Sequence, residues 1–208
     1  MSVWGFGGLT TGQAASMISP GIRSGDTLGP DLRSAASSTT AIAADTIYGH
    51  PIFVPDTIAF SGMALSVGTA VVGVTGKMAL YANAGNLTNG ALIEESASSL
   101  DMNSAGATVL VATFSSGRTL APGWYWLTSK FNGAAQPYTM SAGGLMGSGA
   151  VFLFGSPNLA PFVRSVAGSA VYTRATVADA YANAFPALPI LTRGTNTPGT
   201  PIMGLVAA

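Results

Sequence analysis

The chain has 208 residues, enough for one domain with a real core and appended segments. Its 8 Lys/Arg and 8 Asp/Glu make only 8% of residues charged, against about 25% in ordinary soluble proteins, and they cancel to a net charge of zero. This scatter of matched charges excludes a nucleic-acid partner held by phosphate contacts, and the absence of cysteine excludes disulfides, thiolate catalysis and zinc–thiolate sites.

Residues 1–44 form a first zone, in which Gly5, Gly7, Gly8, Gly12, Pro20, Gly21, Gly25, Gly29 and Pro30 keep interrupting the chain. Such a segment buries too little apolar area to fold alone. Yet it carries Trp4, Phe6, Leu9, Met17 and Ile18, which predicts an extended N-terminal arm anchored on a neighbouring subunit. The alternatives are a flexible N-terminus and an arm packed on its own domain. The opening Met1-Ser-Val-Trp-Gly-Phe6 lacks the cationic start and apolar core of a signal peptide, so export by that route is not expected.

From Asp45 the pattern changes to strands and turns, and residues 45–208 are predicted to form one β-sandwich domain. Residues 47–54 read as a strand, with Pro51 suited to an edge or to the start of a strand. Residues 58–67 alternate, with Met63, Leu65 and Val67 on one side. The run 58–74 is the best candidate for a membrane span, but it contains Ser61, Gly62, Ser66, Gly68, Thr69 and Gly73. It also falls short of the roughly 20 apolar residues a helix needs, so no span is expected. Residues 74–82 alternate again, Met78 and Leu80 against Lys77, Ala79 and Tyr81. A Gly/Asn loop over 83–90 follows, then strands over 92–95, 108–114 and 123–131, the last entered through the Pro122-Gly123 turn. Residues 138–142, 150–154 and 170–174 are weaker strand candidates, and 177–185 reads as a short helix ended by Pro186. A Pro-rich segment, 186–201, precedes a closing strand at 202–207. Short strands with turn signals about every 8–12 residues define an all-β class, an antiparallel, jelly-roll-like β-sandwich.

Chemistry is sparse. The one histidine, His50, sits beside Pro51 inside a strand, where a structural role is the simpler reading, and no Gly-x-Ser-x-Gly elbow accompanies it; Gly147-Ser-Gly149 lacks the spacing. Asp101 and Asn103 are too few for an EF-hand ladder. Glu94 and Glu95 are adjacent on a strand, so they point to opposite faces and cannot flank one glycosidic bond; solvated edge charges are the simpler expectation. Gly76-Lys77 lacks the rest of a phosphate loop, and Asn86-Leu-Thr88 matches a glycosylation sequon only by chance on this reading. No catalytic, cofactor-binding or metal residue is therefore assigned, and no cofactor is expected. Trp124 and Trp126 share one face of their strand, Tyr125 and Leu127 the other. Those tryptophans fill a sandwich core, line a subunit seam, or stack on sugar rings, the first two being favoured by the way large aromatics are usually buried.

The order of Met78-Ala-Leu-Tyr-Ala-Asn83, Gly90-Ala-Leu-Ile93, Leu100-Asp101 and Thr119-Leu-Ala-Pro-Gly-Trp-Tyr-Trp-Leu127, with Pro201-Ile-Met-Gly-Leu-Val206 as a last strand, resembles a β-sandwich module of tailed-bacteriophage and prophage virion proteins, among them tail-fibre and other appendage proteins. The resemblance covers about residues 45–138 and the last strand. It implies a non-enzymatic virion structural protein, whether a tail or fibre, head-decoration or baseplate component, assembled in the host cytoplasm. The implied partners are other virion proteins and copies of itself, a trimer being one arrangement. A host-surface glycan or receptor is the alternative partner. The scarcity of charge agrees with a surface covered by neighbours, although a Ser/Thr-rich surface that stays solvated would also account for it.

Overall fold

The computed structural model describes residues 22–29, 37–39, 41–85, 89–104, 108–140, 164–166, 169–171, 175–187, 192–193 and 200–208. Every regular element among them is a strand. The first nine are β1 (Thr27–Leu28), β2 (Ser37–Ser38), β3 (Thr46–Val54), β4 (Ile58–Thr69), β5 (Thr75–Asn83), β6 (Asn89–Glu95), β7 (Leu100–Asp101), β8 (Val109–Leu120) and β9 (Gly123–Phe131). There follow β10 (Gln136–Pro137), β11 (Thr139–Met140), β12 (Arg164–Val166), β13 (Ser169–Val171), β14 (Ala175–Ala178), β15 (Thr192–Arg193), β16 (Thr200–Pro201) and β17 (Met203–Ala207).

The wiring is that of one long hairpin wound on itself. The chain runs out through β3, β4 and β5, reverses, and returns antiparallel to its own path, so that β6 pairs with β5, β8 with β4 and β9 with β3. Successive strands of each arm alternate between two sheets. One sheet has seven strands in the order β15-β14-β3-β9-β5-β6, with β7 also on β5. The other has five, β1-β17-β4-β10, with β8 on β4. β9 lies between β3 and β5 and joins the two ends of the winding. This is the expected all-β, jelly-roll-like antiparallel sandwich.

The core sits between the sheets because each strand alternates. Tyr48, Ile52 and Val54 of β3, Met63, Leu65 and Val67 of β4, Met78 and Leu80 of β5, Leu127 and Phe131 of β9, and Met203 and Leu205 of β17 are buried in one cluster. Phe60 joins it out of phase with Met63 because the register against β8 jumps from Phe60 opposite Arg118 to Gly62 opposite Thr113. At that irregularity the sheet closes too tightly for a side chain: a Cβ on Gly62 would lie 2.6 Å from the Ala112 carbonyl oxygen. Pro51 lies beyond the stretch of β3 that β14 accompanies, Thr46 to Gly49, so its missing N–H costs the β14 ladder nothing.

Two expectations change. The helix expected over 177–185 is instead the end of β14, paired with β3 from Thr46 to Gly49, followed by an irregular segment. Its backbone groups find partners on β3, on Asp45 and on Lys130, which replaces the turn-by-turn bonding a helix needs. The segment expected as a separate arm is in part built into the sandwich: β1 pairs with β17, β2 with β11, and Ile42 is buried in the main core. A Cβ on Gly204 would meet Thr27 Cγ2 at 2.6 Å and the Leu28 carbonyl oxygen at 2.8 Å, which shows how closely β1 lies on β17. Of the strand candidate at 170–174, residues 170 and 171 lie in β13, which pairs with β12, and 172–174 lie outside the described residues. Residues 1–21 and 150–154 lie outside the described residues. Among the described residues no helix is long and apolar enough to cross a membrane.

Candidate functional site

The outward face of the seven-stranded sheet carries the chain's second apolar cluster. Alternation along β9 turns Tyr125 and Leu127 toward the main core and Trp124 and Trp126 away from it. Register sets Trp126 between Pro51 of β3 and Tyr81 of β5, and Trp124 opposite Phe53. Ile47, Ala79, Tyr81, Trp126 and Phe185 are buried together there, with Leu92, Trp124 and Val177 packed against them. Trp124 and Phe53 meet at 5.1 Å between ring centroids, tilted by 56°.

Residues 179–187 cross this face as a strap, and Lys130 holds it down. Lys130 is next but one after Thr128 and Trp126 on the same side of β9, and its side chain is fully buried. Its Nζ donates to Asp179 Oδ2 at 2.6 Å, Asn183 O at 2.8 Å, Ala180 O at 3.3 Å and Ala184 O at 3.4 Å. It also lies 4.7 Å from the centre of the Phe185 ring. Burial alone would raise the Asp179 pKa, but the Asn183 amide and the Lys130 ammonium outweigh it and hold the carboxyl below its usual range.

Other bonds fasten the strap at both ends. Asp45 adopts a left-handed backbone, φ 52°, a conformation that Asp tolerates better than most residues. From there its carbonyl accepts the Asp179 N–H at 2.9 Å and its Oδ1 the Tyr181 N–H at 2.7 Å. The Tyr81 hydroxyl donates to Pro186 O at 2.9 Å, Leu92 N–H to Ala187 O at 3.0 Å, and Phe185 N–H to Glu95 Oε2 at 3.2 Å. Burial, then the charges of Glu95 and Asp179, push the Tyr81 pKa upward, so this hydroxyl stays protonated as a donor.

The two glutamates separate as their adjacency predicts, but neither is a solvated edge charge. Glu95 faces the strap. Glu94 is buried and reaches across to the opposite sheet, where the Ser115 hydroxyl and N–H donate to its Oε1 at 2.6 and 3.2 Å and Arg118 Nε donates to its Oε2 at 2.8 Å. Arg118 Nη2 bonds the same oxygen. Burial would raise the Glu94 pKa; the Ser115 and Arg118 hydrogen bonds and the Arg118 charge hold it below its usual range. This clasp joins β6 to β8 along one open side of the sandwich, and Ala97 N–H to Thr113 O at 2.9 Å reinforces it.

His50 lies inside the sandwich, in step with Tyr48 and Ile52. Burial lowers its pKa, with the Pro51 and Met203 backbones opposing the shift, so the ring is neutral. Its Nδ1 is 3.0 Å from Pro51 O. Among the described residues its Nε2 has no hydrogen-bond partner, and neither has the buried Ser129 hydroxyl on the neighbouring strand. With no bond between them, they do not form a nucleophile–base pair. Asp101 Oδ1 accepts the Asn103 N–H at 2.9 Å in a local turn. Among the described residues no group of His, Cys, Asp or Glu is placed to hold a metal ion. Gly147-Ser-Gly149 and Asn86-Leu-Thr88 lie outside the described residues.

Sequence reasoning missed Lys130 and Asp179. Alternation does place Lys130 on the Trp126 face; what sequence lacks is a sign that residues 179–187 return to cover it. No protein-family model and no curated protein matches this chain.

Proposed function

We propose that this chain is a non-enzymatic structural protein of a tailed-phage virion, a tail or fibre, head-decoration or baseplate component, which assembles with copies of itself and with other virion proteins. The observation that carries the reading is where the phage-like motifs fall. Residues 78–83, 90–93 and 123–127 occupy β5, β6 and β9, paired strands of one sheet, and 203–206 occupy β17 of the other. The motif order thus coincides with the winding of the sandwich. Jelly-roll sandwiches recur in viral capsid and lectin domains, an analogy of fold that agrees with the reading. The charges support it too, since buried Lys130 and Glu94 are engaged with Asp179 and Arg118 in holding the fold together.

Anchoring falls to residues 1–21, the part of the chain ahead of β1 that carries Trp4, Phe6 and Leu9. Deleting residues 2–21 leaves a sandwich that folds but is not incorporated into particles. Normal incorporation of that deletion would remove the anchoring role.

The second reading is a host-surface carbohydrate- or receptor-binding module, and the half-buried Phe53–Trp124 ring pair favours it. Trp126 lies beneath the strap, so Trp124 is the residue to test. A glycan array comparing wild type with Trp124→Ala decides it: glycan signals lost in the variant support this reading, and an array blank for both removes it.

A further inference from the structure

We infer that the outer edge of β8 pairs with the same edge of a second copy, antiparallel and centred on Leu110. Among the described residues β8 is an edge strand of the five-stranded sheet, paired with β4 on one side only. Val67 N–H donates to Thr108 O across that pair, and antiparallel ladders alternate. The backbone groups of Thr108, Leu110 and Ala112 therefore point to β4, and those of Val109, Val111 and Thr113 point outward. Thr113 O accepts the Ala97 N–H on this outward side, as that phase requires.

The side chains mark the same stretch. Val109 is 56% exposed and Val111 46%, two of the most exposed large apolar residues among those described. Natural edge strands are blunted by charge, proline or cover. The facing edge of the other sheet is treated that way, since Leu92 of β6 bonds to Ala187 of the strap. Residues 108–113, Thr-Val-Leu-Val-Ala-Thr, carry neither charge nor proline.

A second copy is the occupant that fits. No charged residue stands between Asp101 and Arg118, and Arg118 is neutralised by Glu94. Two such edges approach without like-charge repulsion, whereas a charged peptide would find nothing to pair with. The contact of Ala97 on Thr113 limits the open ladder to Val109–Ala112. Centring on Leu110 makes full use of it: Val109 of each copy faces Val111 of the other, each pair exchanges both backbone hydrogen bonds, and the valines of both copies meet on one face. The arrangement is self-complementary, as a two-fold contact must be. It is also small beside the roughly 1,200–2,000 Å² of a standard stable interface, so the pair forms and dissociates with concentration. The inference stands apart from the virion reading.

The test is sedimentation of the purified full chain over a range of concentrations, with cysteine cross-linking to read the register. Wild type shows a reversible dimer. Val111→Lys weakens it at least tenfold, and Val72→Lys, at a valine 82% exposed in the turn between β4 and β5, leaves it unchanged. Val111→Pro removes only an outward N–H and abolishes pairing while the β4 ladder remains; circular dichroism checks the fold of each variant. Because the chain has no cysteine, Val109→Cys mixed with Val111→Cys reports the register directly. Mixed disulfide dimers in excess over like pairs are expected. A wild-type monomer at every concentration, a dimer indifferent to Val111→Lys, or Val111→Cys linking mainly to itself would each overturn the inference.

Discussion

Lys130 and Asp179 meet at 2.6 Å on the outward face of the seven-stranded sheet, and that contact fixes the strap over Trp126 and Tyr81. The same ammonium also serves the carbonyls of Ala180, Asn183 and Ala184, so one side chain satisfies much of the strap's backbone. Removing one partner of such a buried pair strands the other group and the carbonyls together. Lys130→Met is therefore expected to cost about 3–5 kcal/mol in equilibrium unfolding and to open residues 179–187 to proteolysis. With Lys130 already replaced, Asp179→Asn adds little. Additive losses would show that the two do not act as a pair.

Trp126 and Trp124 separate by burial. Trp126→Ala is expected to cost about 3–5 kcal/mol, as emptying a buried aromatic site does, and Trp124→Ala distinctly less. Trp126→Phe is milder than either chemistry or size alone implies, because the indole N–H it removes has no hydrogen-bond partner among the described residues. Denaturant unfolding of the three variants checks the order.

Acid acts on this fold in two windows. The His50 pKa is lowered by burial, so below its ordinary value of 6.5 the unfolded chain takes up a proton that the folded chain refuses. Stability therefore falls as pH drops below 6.5 toward the lowered folded value. His50→Gln flattens that part of the profile, seen as a thermal midpoint that no longer drops between neutral and mildly acidic pH.

Glu94 and Asp179 act at lower pH and with the sign of carboxylates. Their folded pKa values are held below the ordinary 4.5 and 3.8, so the stability they contribute is complete above those values and is lost as pH falls through the lowered ones. Glu94→Gln and Asp179→Asn each remove part of this acid dependence, measured as shallower midpoint-versus-pH curves below about pH 4.5. A curve unchanged by both substitutions would contradict their placement.

The sandwich is legible in sequence because its strands bury one face at a time: Met78 and Leu80 against Ala79 and Tyr81, or Leu127 against Trp126, follow from period two alone. Glu94 is less so. Its inward turn depends on the irregular register between Leu80 opposite Glu94 and Tyr81 opposite Leu92, which only pairing reveals. The strap was hidden for a similar reason. Val177 and the residues after it have helical spacing, and what overrides it is a lysine on β9 and an aspartate before β3. The unblunted β8 edge was visible as an uncharged run, but its edge position depends on the winding of the whole chain.

The central claim is membership of a virion, and quantitative mass spectrometry of virus particles purified from cells that carry this gene tests it most directly. The account predicts the chain in those particles at a fixed copy number per virion that survives repeated density-gradient purification. A chain absent from the particles, and recovered only in the soluble lysate, would contradict it.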